Sequence, residues 1–355
     1  MTHRHDSNRS ELFGFSKSRL LPIAEVVAGM SVHTFDITID TIDAEPGTDE
    51  YGGCGEKCIV TFTCTGTDGR ERRERVFAKL ADHGHEESIH YEHLTRHNAP
   101  IPKTYGTLKT DDGRELMFTE YLEPILTWDD WNSPETHPEF LSSIAQINAI
   151  TPSDEYRALL SNEKHDWMPR VLQWGLEAIE SAWERVSDGA CGKDAAHWCA
   201  KYHSELSELK DYARSVIDQW KTLPRGLCHR EAEGYHAGRR RSDGKLLYFD
   251  LSTVGIGPRF GDVASWCRES PIYLTRMEFA RQYLELYARW GGPTVSIEQF
   301  LNETAISVRA GVIRWLWQMH SAWDETGDNS YGHWTHSALE QLVEFKHAGP
   351  GWQST

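Results

Sequence analysis

The sequence lacks any long apolar run. No stretch of the 355 residues approaches the roughly 20 apolar residues that span a bilayer. The first ten residues are polar and rich in histidine, without the apolar segment of a secretory signal. The seven cysteines are odd in number and dispersed, so a disulfide framework is not expected. These absences predict a cytoplasmic protein with reduced thiols and no membrane partner.

Positive charge is also scarce. Lysine and arginine number 37 against 54 aspartate and glutamate residues, which gives a formal net charge of −17. Because such a surface repels the phosphates of nucleic acids, a nucleic-acid partner is not expected. The acidic surface favours cationic small molecules, although acidity also keeps a protein in solution. A monomer and a homodimer are both compatible with the sequence.

The first third of the chain is rich in β-strand patterns. Val32–Ile39 alternates between apolar and polar residues, as a half-buried strand does. Ile59–Thr63 is a β-branched run, and Arg75–Leu80 reads as the strand that returns beside it. We assign residues 1–20 to a polar N-terminal segment and residues 21–121 to a β-rich lobe.

Helical periodicity dominates after residue 121. Five segments have the apolar spacing of helices: Phe140–Ile150, Trp167–Val186, Ala195–Thr222, Met277–Trp290 and Ile297–Ala322. Residues 122–355 are therefore assigned to a larger, mostly helical lobe, and the predicted fold class is α+β.

One segment carries most of the functional information. It reads Leu-Cys-His-Arg-Glu-Ala-Glu-Gly-Tyr-His over Leu227–His236, and Asp250 follows the apolar run Leu246–Phe249. Its histidine, His229, precedes Asp250 by about 21 residues. Together with Gly-Ile-Gly-Pro-Arg-Phe-Gly-Asp over Gly255–Asp262, this pattern resembles the aminoglycoside phosphotransferase and choline kinase superfamily.

The resemblance implies a fold and an activity. The fold is the protein-kinase-like two-lobe fold, with a small antiparallel β-sheet and one helix in the N-terminal lobe and a larger helical C-terminal lobe. The activity is transfer of the γ-phosphate of ATP or GTP, with Mg²⁺ or Mn²⁺, to a hydroxyl group of a small molecule. By analogy alone, the acceptor is an antibiotic, an amino sugar or a related metabolite, with a positive charge compatible with the acidic chain.

The phosphate-binding lysine and its partner are predicted from the same resemblance. Lys79 ends the sequence Val-Phe-Ala-Lys and takes the place of the lysine on the third kinase strand. The helix that follows is expected to supply the carboxylate that holds this lysine. We choose Glu87 for that role, with Glu86 and Glu92 as competitors.

Two further segments are expected to contact the nucleotide. Gly53 and Gly55 lie in a Gly-Gly-Cys-Gly turn whose backbone N–H groups are suited to phosphates. Glu120 and Leu122 belong to Glu-Tyr-Leu-Glu, which resembles the hinge whose backbone binds adenine in the superfamily.

The catalytic loop departs from the superfamily at three positions. Glu231 stands where the catalytic Asp is usual and keeps the carboxylate with one more methylene. His236 stands where an Asn supplies an oxygen to the metal, and Glu233 is a second candidate for the metal or for the role of Glu231. Arg230, where glycine is usual, either stabilises the transferred phosphoryl group or blocks a site. Asp250 keeps the expected metal-binding carboxylate.

The remaining assignments concern structure and the acceptor. His229 and Asp262 are expected to brace the catalytic loop. The predicted acceptor contacts are Glu269, Trp323 and Asp324. They come from a wider set of acidic, aromatic and histidine residues in the helical lobe: Asp166, Trp167, Trp315, His320 and Glu325.

Two alternatives follow from the altered loop. The protein is either an active kinase or a pseudokinase, which binds nucleotide or ligand without transferring phosphate. A third possibility is a kinase fold that has taken up another reaction.

Overall fold

The computed structural model describes residues 11–41, 56–81, 87–161, 167–232, 234–264 and 276–348. Its α+β architecture confirms the predicted fold class. By residue contacts the chain divides into two compact units. The first comprises residues 1–143 and 232–253, and the second comprises residues 144–231 and 254–355. The division at residues 20 and 121 stays a prediction.

The elements are numbered in chain order. The strands are β1 Glu11–Leu12, β2 Phe15–Ser16, β3 Val32–Thr41, β4 Glu56–Gly66, β5 Glu71–Leu80, β6 Thr104–Lys109, β7 Glu115–Glu120, β8 Arg225–Cys228, β9 Ala237–Arg239, β10 Leu246–Tyr248 and β11 Gly255–Pro258. The helices are α1 Lys17–Ala28, α2 Ser88–Arg96, α3 Trp128–Trp131, α4 His137–Asn148, α5 Asp154–Leu160, α6 Met168–Ser187, α7 Lys193–Tyr202, α8 Leu206–Thr222, α9 Arg276–Arg289, α10 Ile297–Thr326 and α11 Asn329–Ala348. No helix among these residues combines the length and apolarity needed to cross a membrane.

A five-stranded antiparallel sheet organises the first unit. Its strand order is β3-β4-β5-β7-β6. The alternation predicted for β3 is confirmed, since Ile37 and Ile39 are buried while Asp36 is exposed. Phe62 on β4 and Phe118 on β7, the strands on either side of β5, are fully buried in the same core, where each large apolar side chain contributes roughly 1.5–3 kcal/mol.

Helix α1 of this unit was not predicted. Helix α1 buries Leu20, Ile23 and Val27, spaced three to four residues apart, against the sheet. It ends where Gly29 adopts φ +62° and donates its backbone N–H to the carbonyl of Glu25. A proline inside the segment, Pro22, reads in the sequence as a helix breaker. The burial of the apolar stripe outweighs that penalty here.

Helices α6 and α10 form the centre of the second unit. Ile179 and Trp183 of α6 meet Ile313 and Leu316 of α10 in a core with almost no exposed surface. The predicted helix Ala195–Thr222 is interrupted by a short 3₁₀ turn, which separates α7 from α8. Helix α11, which was not predicted, packs against α10, α6 and α8.

A glycine allows α6 and α10 to approach closely. A Cβ atom placed on Gly175 would lie 2.3 Å from the carbonyl oxygen of Ile313 and 2.7 Å from its Cγ2. Because backbone atoms cannot move aside as a flexible side chain does, any larger residue at position 175 forces the helices apart.

We therefore expect Gly175→Ala to destabilise the protein by about 1–3 kcal/mol. Chemical denaturation followed by circular dichroism measures this change. Gly311→Ala is the matched control, since position 311 lies in α10 and a Cβ there meets nothing within 4 Å. Alanine favours helix over glycine by about 1 kcal/mol, so the control should be as stable as the parent or more stable. Equal effects of the two substitutions would contradict the close helix contact.

Candidate functional site

A lysine and two carboxylates meet in the first unit. The Nζ atom of Lys79, on β5, lies 2.6 Å from Oε2 of Glu87 and 3.1 Å from Oδ1 of Asp250. Glu87 also accepts a hydrogen bond at Oε1 from the backbone N–H of Leu251, at 2.7 Å. The structure thus selects Glu87 from the candidate partners of Lys79. Glu92 is exposed and pairs with Arg96, and Glu86 lies outside the described residues.

Burial and charge act in opposite directions in this cluster. Burial alone lowers the pKa of Lys79, but the carboxylates of Glu87 and Asp250 outweigh it and raise that pKa. Burial would raise the pKa of Asp250, yet Lys79, a hydrogen bond from Ser252 and the charge of His236 hold the pKa below its usual range. The result is a permanent ammonium beside an ionised carboxylate.

The carboxylate of Asp250 is suited to a divalent cation. Lys79 and Ser252 both contact Oδ1, at 3.1 and 2.8 Å, and within the described part of the chain Oδ2 has no hydrogen-bond partner. The backbone of Asp250 has φ +59°, a strained conformation typical of functional sites. The described residues include no cluster of three or more metal-ligating side chains. A single ionised carboxylate fits Mg²⁺, which takes its other ligands from water and phosphate oxygens.

The same residues line a cavity of about 320 Å³ in the first unit. Most of its wall is apolar, and Lys79, Glu87 and Asp250 lie on it. The other lining residues are Lys57, Ile59, Phe77, Tyr91, Pro102, Met117, Thr119, Glu120, Tyr121, Leu122, Ile125 and Phe249. The structure therefore brings together four of the predicted nucleotide contacts, Lys79, Glu87, Glu120 and Leu122, with the predicted metal ligand.

The hinge segment after β7 is fixed in place beside this cavity. Its backbone N–H groups at Glu123 and Leu126 donate to the carbonyls of Arg239 and Ala237 on β9. A Cβ on Gly238 would lie 2.8 Å from Cβ of Leu122, so only glycine allows β9 to pass this close. Ion pairs join three consecutive arginines to acidic residues of the same unit: Arg239 with Glu139, Arg240 with Glu120, and Arg241 with Glu123.

The other predicted nucleotide and metal residues are placed differently. His236 lies close enough to Asp250 to lower its pKa, and its ring stands edge-on to Phe249 at 6.2 Å. Gly53, Gly55 and Glu233 lie outside the described residues.

The predicted catalytic loop follows β8 in the second unit, and one carboxylate holds its backbone. Asp262 accepts the backbone N–H of His229 at 2.8 Å and that of Arg230 at 2.7 Å. The side-chain amide of Asn148 donates to Asp262 at 2.7 Å and to the carbonyl of Leu227 at 3.0 Å. Charge-assisted bonds of this kind are stronger than neutral ones, so the loop backbone is held firmly.

Arg230 supports the loop with its side chain. Its backbone has φ +71°, which explains why glycine suits this position. The guanidinium group donates to the carbonyl of Ile256 at 3.0 Å and packs on Gly255, where a Cβ would lie 2.4 Å from Cζ. Arg230 therefore fills the space that Gly255 leaves on β11.

Glu231 faces the helices of the second unit. Its Oε1 lies 3.9 Å from Nη2 of Arg314 on α10, and 27 % of its side chain is exposed. The guanidinium groups of Arg314 and Arg230 lie 5.0 and 5.9 Å from the ring centre of Trp167. The carboxylate at the predicted catalytic position is thus accessible and has a cation beside it.

A comparison with known families decides what kind of protein this is. A model of the phosphotransferase enzyme family matches residues 62–298. The chain belongs to this family. The match confirms the superfamily expected from the sequence and the assignment of the protein as a phosphotransferase. No curated protein sequence matches the chain.

Solved structures share the fold of this phosphotransferase. An ethanolamine kinase from Plasmodium vivax has 12 % identity and a TM-score of 0.56, covering 86 % of this chain and 81 % of its own. A spectinomycin phosphotransferase in complex with ADP and spectinomycin has 10 % identity and a TM-score of 0.53, covering 92 % and 97 %. A choline kinase from Cryptosporidium parvum has 11 % identity and a TM-score of 0.51, covering 88 % and 89 %. These similarities confirm the protein-kinase-like fold.

The structure corrects the acceptor prediction for one residue of the phosphotransferase. Trp323 is 1 % exposed and belongs to the core of the second unit, with Arg185 stacked on its ring at 4.0 Å. Asp324 forms an ion pair with the same Arg185. A ring buried this deeply has no face left for a ligand, so we assign Trp323 to packing. Asp324 is 54 % exposed, and its role as an acceptor contact stays a prediction. Glu269 lies outside the described residues.

Two residues at the site of the phosphotransferase were missed in the sequence. Asn148, in a helix interpreted as core packing, connects Leu227, Asp262 and Tyr283. An amide on the apolar face of a helix was the available signal, since buried polar groups need partners. Arg314 gave no such signal, because its neighbours Ile313 and Trp315 read as ordinary buried helix.

Proposed function

We propose that this phosphotransferase moves the γ-phosphate of ATP or GTP to a hydroxyl group of a small molecule in the cytoplasm. The acceptor class suggested by analogy is an antibiotic, an amino sugar or a related metabolite. The observation that carries the proposal is the cluster of Lys79, Glu87 and Asp250 on the wall of one cavity. Within the proposal, residues 21–121 act as the nucleotide-binding lobe. Residues 122–355 carry the acceptor site and the catalytic hairpin, which is the chain segment that includes Glu231 and Asp250.

The cavity supports nucleotide binding in the first unit. Its volume of about 320 Å³ lies at the lower end of small-ligand sites, which span roughly 300–1,000 Å³. We assign the apolar wall, with Ile59, Phe77 and Met117, to the base, and the backbone between Glu120 and Leu122 to its hydrogen bonds. Lys79, held by Glu87, binds the phosphates. Gly53 and Gly55 are proposed to cover them.

Asp250 is the proposed metal ligand. Its ionised carboxylate and the Oδ2 atom left open by Lys79 and Ser252 fit Mg²⁺, which would neutralise charge on the nucleotide phosphates when bound. His236 adds a nitrogen that suits Mn²⁺ better than Mg²⁺, and Glu233 is a further proposed ligand.

Glu231 is the proposed catalytic carboxylate. The acceptor oxygen forms a bond to the γ-phosphorus, the bond from that phosphorus to the β,γ-bridging oxygen breaks, and the nucleoside diphosphate leaves. The hydroxyl proton passes to the carboxylate of Glu231. Asp262 and Asn148 hold the backbone before Glu231, which supports this role because positioning is most of what phosphoryl transfer requires.

The test is nucleotide turnover with a panel of hydroxylated acids, sugars and amines, with Mg²⁺ or Mn²⁺ present. We expect a phosphorylated product by mass spectrometry, and loss of about 10²–10⁴ in rate for Glu231→Gln. Glu285→Gln, an exposed position on α9, is the control and should keep the parent rate. Binding of ATP without product from any acceptor would contradict the proposal and identify a pseudokinase.

A further inference from the structure

Helices α6 and α10 present a row of aromatic and cationic side chains in the second unit. Trp174 and Trp317 stack with ring centres 5.0 Å apart and planes at 33°. Arg170 lies 6.0 Å from the ring centre of Trp174, and Arg314 lies 5.0 Å from that of Trp167. We call these five residues the Trp–Arg surface. None of them belongs to the nucleotide cavity of the first unit.

Glycine at position 175 brings the two sides of this surface together. Because Gly175 lets α6 approach the backbone of α10 at Ile313, the neighbouring Trp174 reaches Trp317 and Trp167 reaches Arg314. The surface therefore depends on how the two helices cross. It lies next to Glu231, which is close to Arg314.

Arg314 has hydrogen-bonding capacity to spare. Its contact with Glu231 is 3.9 Å, an ion-pair distance that is too long for a hydrogen bond. Its Nε atom is buried and has no hydrogen-bond partner among the described residues. A buried donor without a partner is unfavourable by itself. Nε is closed to solvent, so a ligand reaches the guanidinium group through the 19 % of the side chain that is exposed. The planar guanidinium group matches carboxylate and phosphate oxygens two at a time.

The aromatic members of the surface are open to a ligand. Trp174 is 39 % exposed, and Trp167 and Trp317 are half-buried, in contrast to Trp323 in the core. Indole faces pack well on the flat, C–H-rich faces of sugars and on other rings. Arg170 and Arg314 together place two positive charges on this surface beside the single carboxylate of Glu231, and this balance disfavours the ammonium group of an amino sugar.

We propose that the acceptor carries a carboxylate group that Arg314 binds while the body of the molecule packs on the Trp–Arg surface. The inference rests on the proposed function only in calling this ligand the acceptor of the phosphoryl group. It narrows the acceptor from any hydroxylated metabolite to an acidic one and sets aside the cationic substrate favoured by the net charge of −17.

The test compares matched probes that differ in charge. D-glucuronate, D-glucose and D-glucosamine form one set, and glycerate, glycerol and 2-amino-1,3-propanediol form another. Binding to the full-length protein is measured by calorimetry without nucleotide, so that the result does not depend on phosphoryl transfer. We expect the acid of at least one set to bind about tenfold tighter than its neutral and cationic partners, because a hydrogen bond to a charged group is worth at least that factor.

Variants at position 314 assign the preference to one side chain. Arg314→Gln should abolish the preference for the acid, and Arg314→Lys, which keeps the charge without the planar fork, should restore part of it. Arg281→Gln removes the same charge from an exposed position on α9 and should leave the preference intact.

Several results would overturn the inference. They are equal or tighter binding of the cationic probes, no binding of either acid, and an acid preference that survives Arg314→Gln. If Arg314→Gln lowered kcat for every acceptor without changing the affinity of any probe, the inference would also be wrong. Arg314 would then act on the transferred phosphoryl group. If the acids bind through Arg314 and no product forms with any nucleotide, the inference stands and the proposed kinase activity fails.

Discussion

Asp250→Asn is expected to lower kcat by about three orders of magnitude while the protein stays folded. The substitution keeps the shape of the side chain and removes the negative charge that faces Lys79 and that we propose holds the metal at the nucleotide phosphates. Asparagine offers Mg²⁺ a neutral amide oxygen, which binds the ion more weakly than an ionised carboxylate does. Turnover is measured with saturating nucleotide, and folding is checked by circular dichroism.

A nearby aspartate provides the control for this substitution. Asp243→Asn changes an exposed residue in the hairpin between β9 and β10 and should retain the parent kcat. If Asp250→Asn kept more than about a tenth of the parent kcat, the proposed metal-binding role of Asp250 would be wrong.

The stability of the protein should also depend on Asp250 at low pH. Its folded-state pKa lies below the unfolded value of about 3.9, so its contribution to stability is complete above that pH. The contribution is lost as the pH falls from about 3.9 towards the folded-state pKa. The free energy of unfolding, measured by denaturation at several pH values, should therefore fall more steeply over this acidic range for the parent than for Asp250→Asn. If the free energies of unfolding of the two proteins fell in parallel with pH, the lowered pKa of Asp250 would be wrong.

Glu87→Ala should destabilise the protein by about 3–5 kcal/mol, the largest loss of stability that we expect from one substitution. Glu87 is 4 % exposed and is the closer of the two carboxylates that balance Lys79, itself buried. Removing one member of a buried ion pair leaves the other charge without compensation in a medium of low polarity. The backbone N–H of Leu251 also loses its acceptor. Urea denaturation at neutral pH gives the free energy of unfolding.

Glu92→Ala is the matched control on the same helix. Glu92 is 66 % exposed and pairs with Arg96 one turn away, so its loss should change the free energy of unfolding by less than about 0.5 kcal/mol. Glu87→Gln keeps the volume and one acceptor oxygen and should fall between the two. A loss below about 1 kcal/mol for Glu87→Ala would mean that Lys79 does not depend on this carboxylate.

Local sequence patterns predicted many of the strands and helices and several residues of the candidate site. The period-two alternation of Val32–Ile39 predicted β3, and the 3.6-residue period predicted α6 and α10, because each pattern exposes one face of a regular element. Helix α1 was not predicted because Pro22 argues against a helix locally. The helix is stabilised by the sheet on which it packs. The interruption between α7 and α8 is equally invisible to periodicity, since both helices carry apolar residues across the break.

The acceptor side was the least predictable part. Trp323 and Trp317 lie on one helix, yet the first is in the core and the second stacks on Trp174. Which face of α10 meets α6 depends on the close approach at Gly175, and the sequence of α10 does not contain that information.

The sequence alone determined the motifs by which this protein resembles its family. They are the strand that ends at Lys79, the loop around Glu231 and the carboxylate at Asp250. Such motifs are readable because their chemistry requires fixed residue types at fixed spacing along the chain. The tertiary structure alone decided that Asn148 helps to brace the predicted catalytic loop and that Arg314 stands 3.9 Å from Glu231. These partners are far apart in sequence, and what brings them together is the packing of helices and strands.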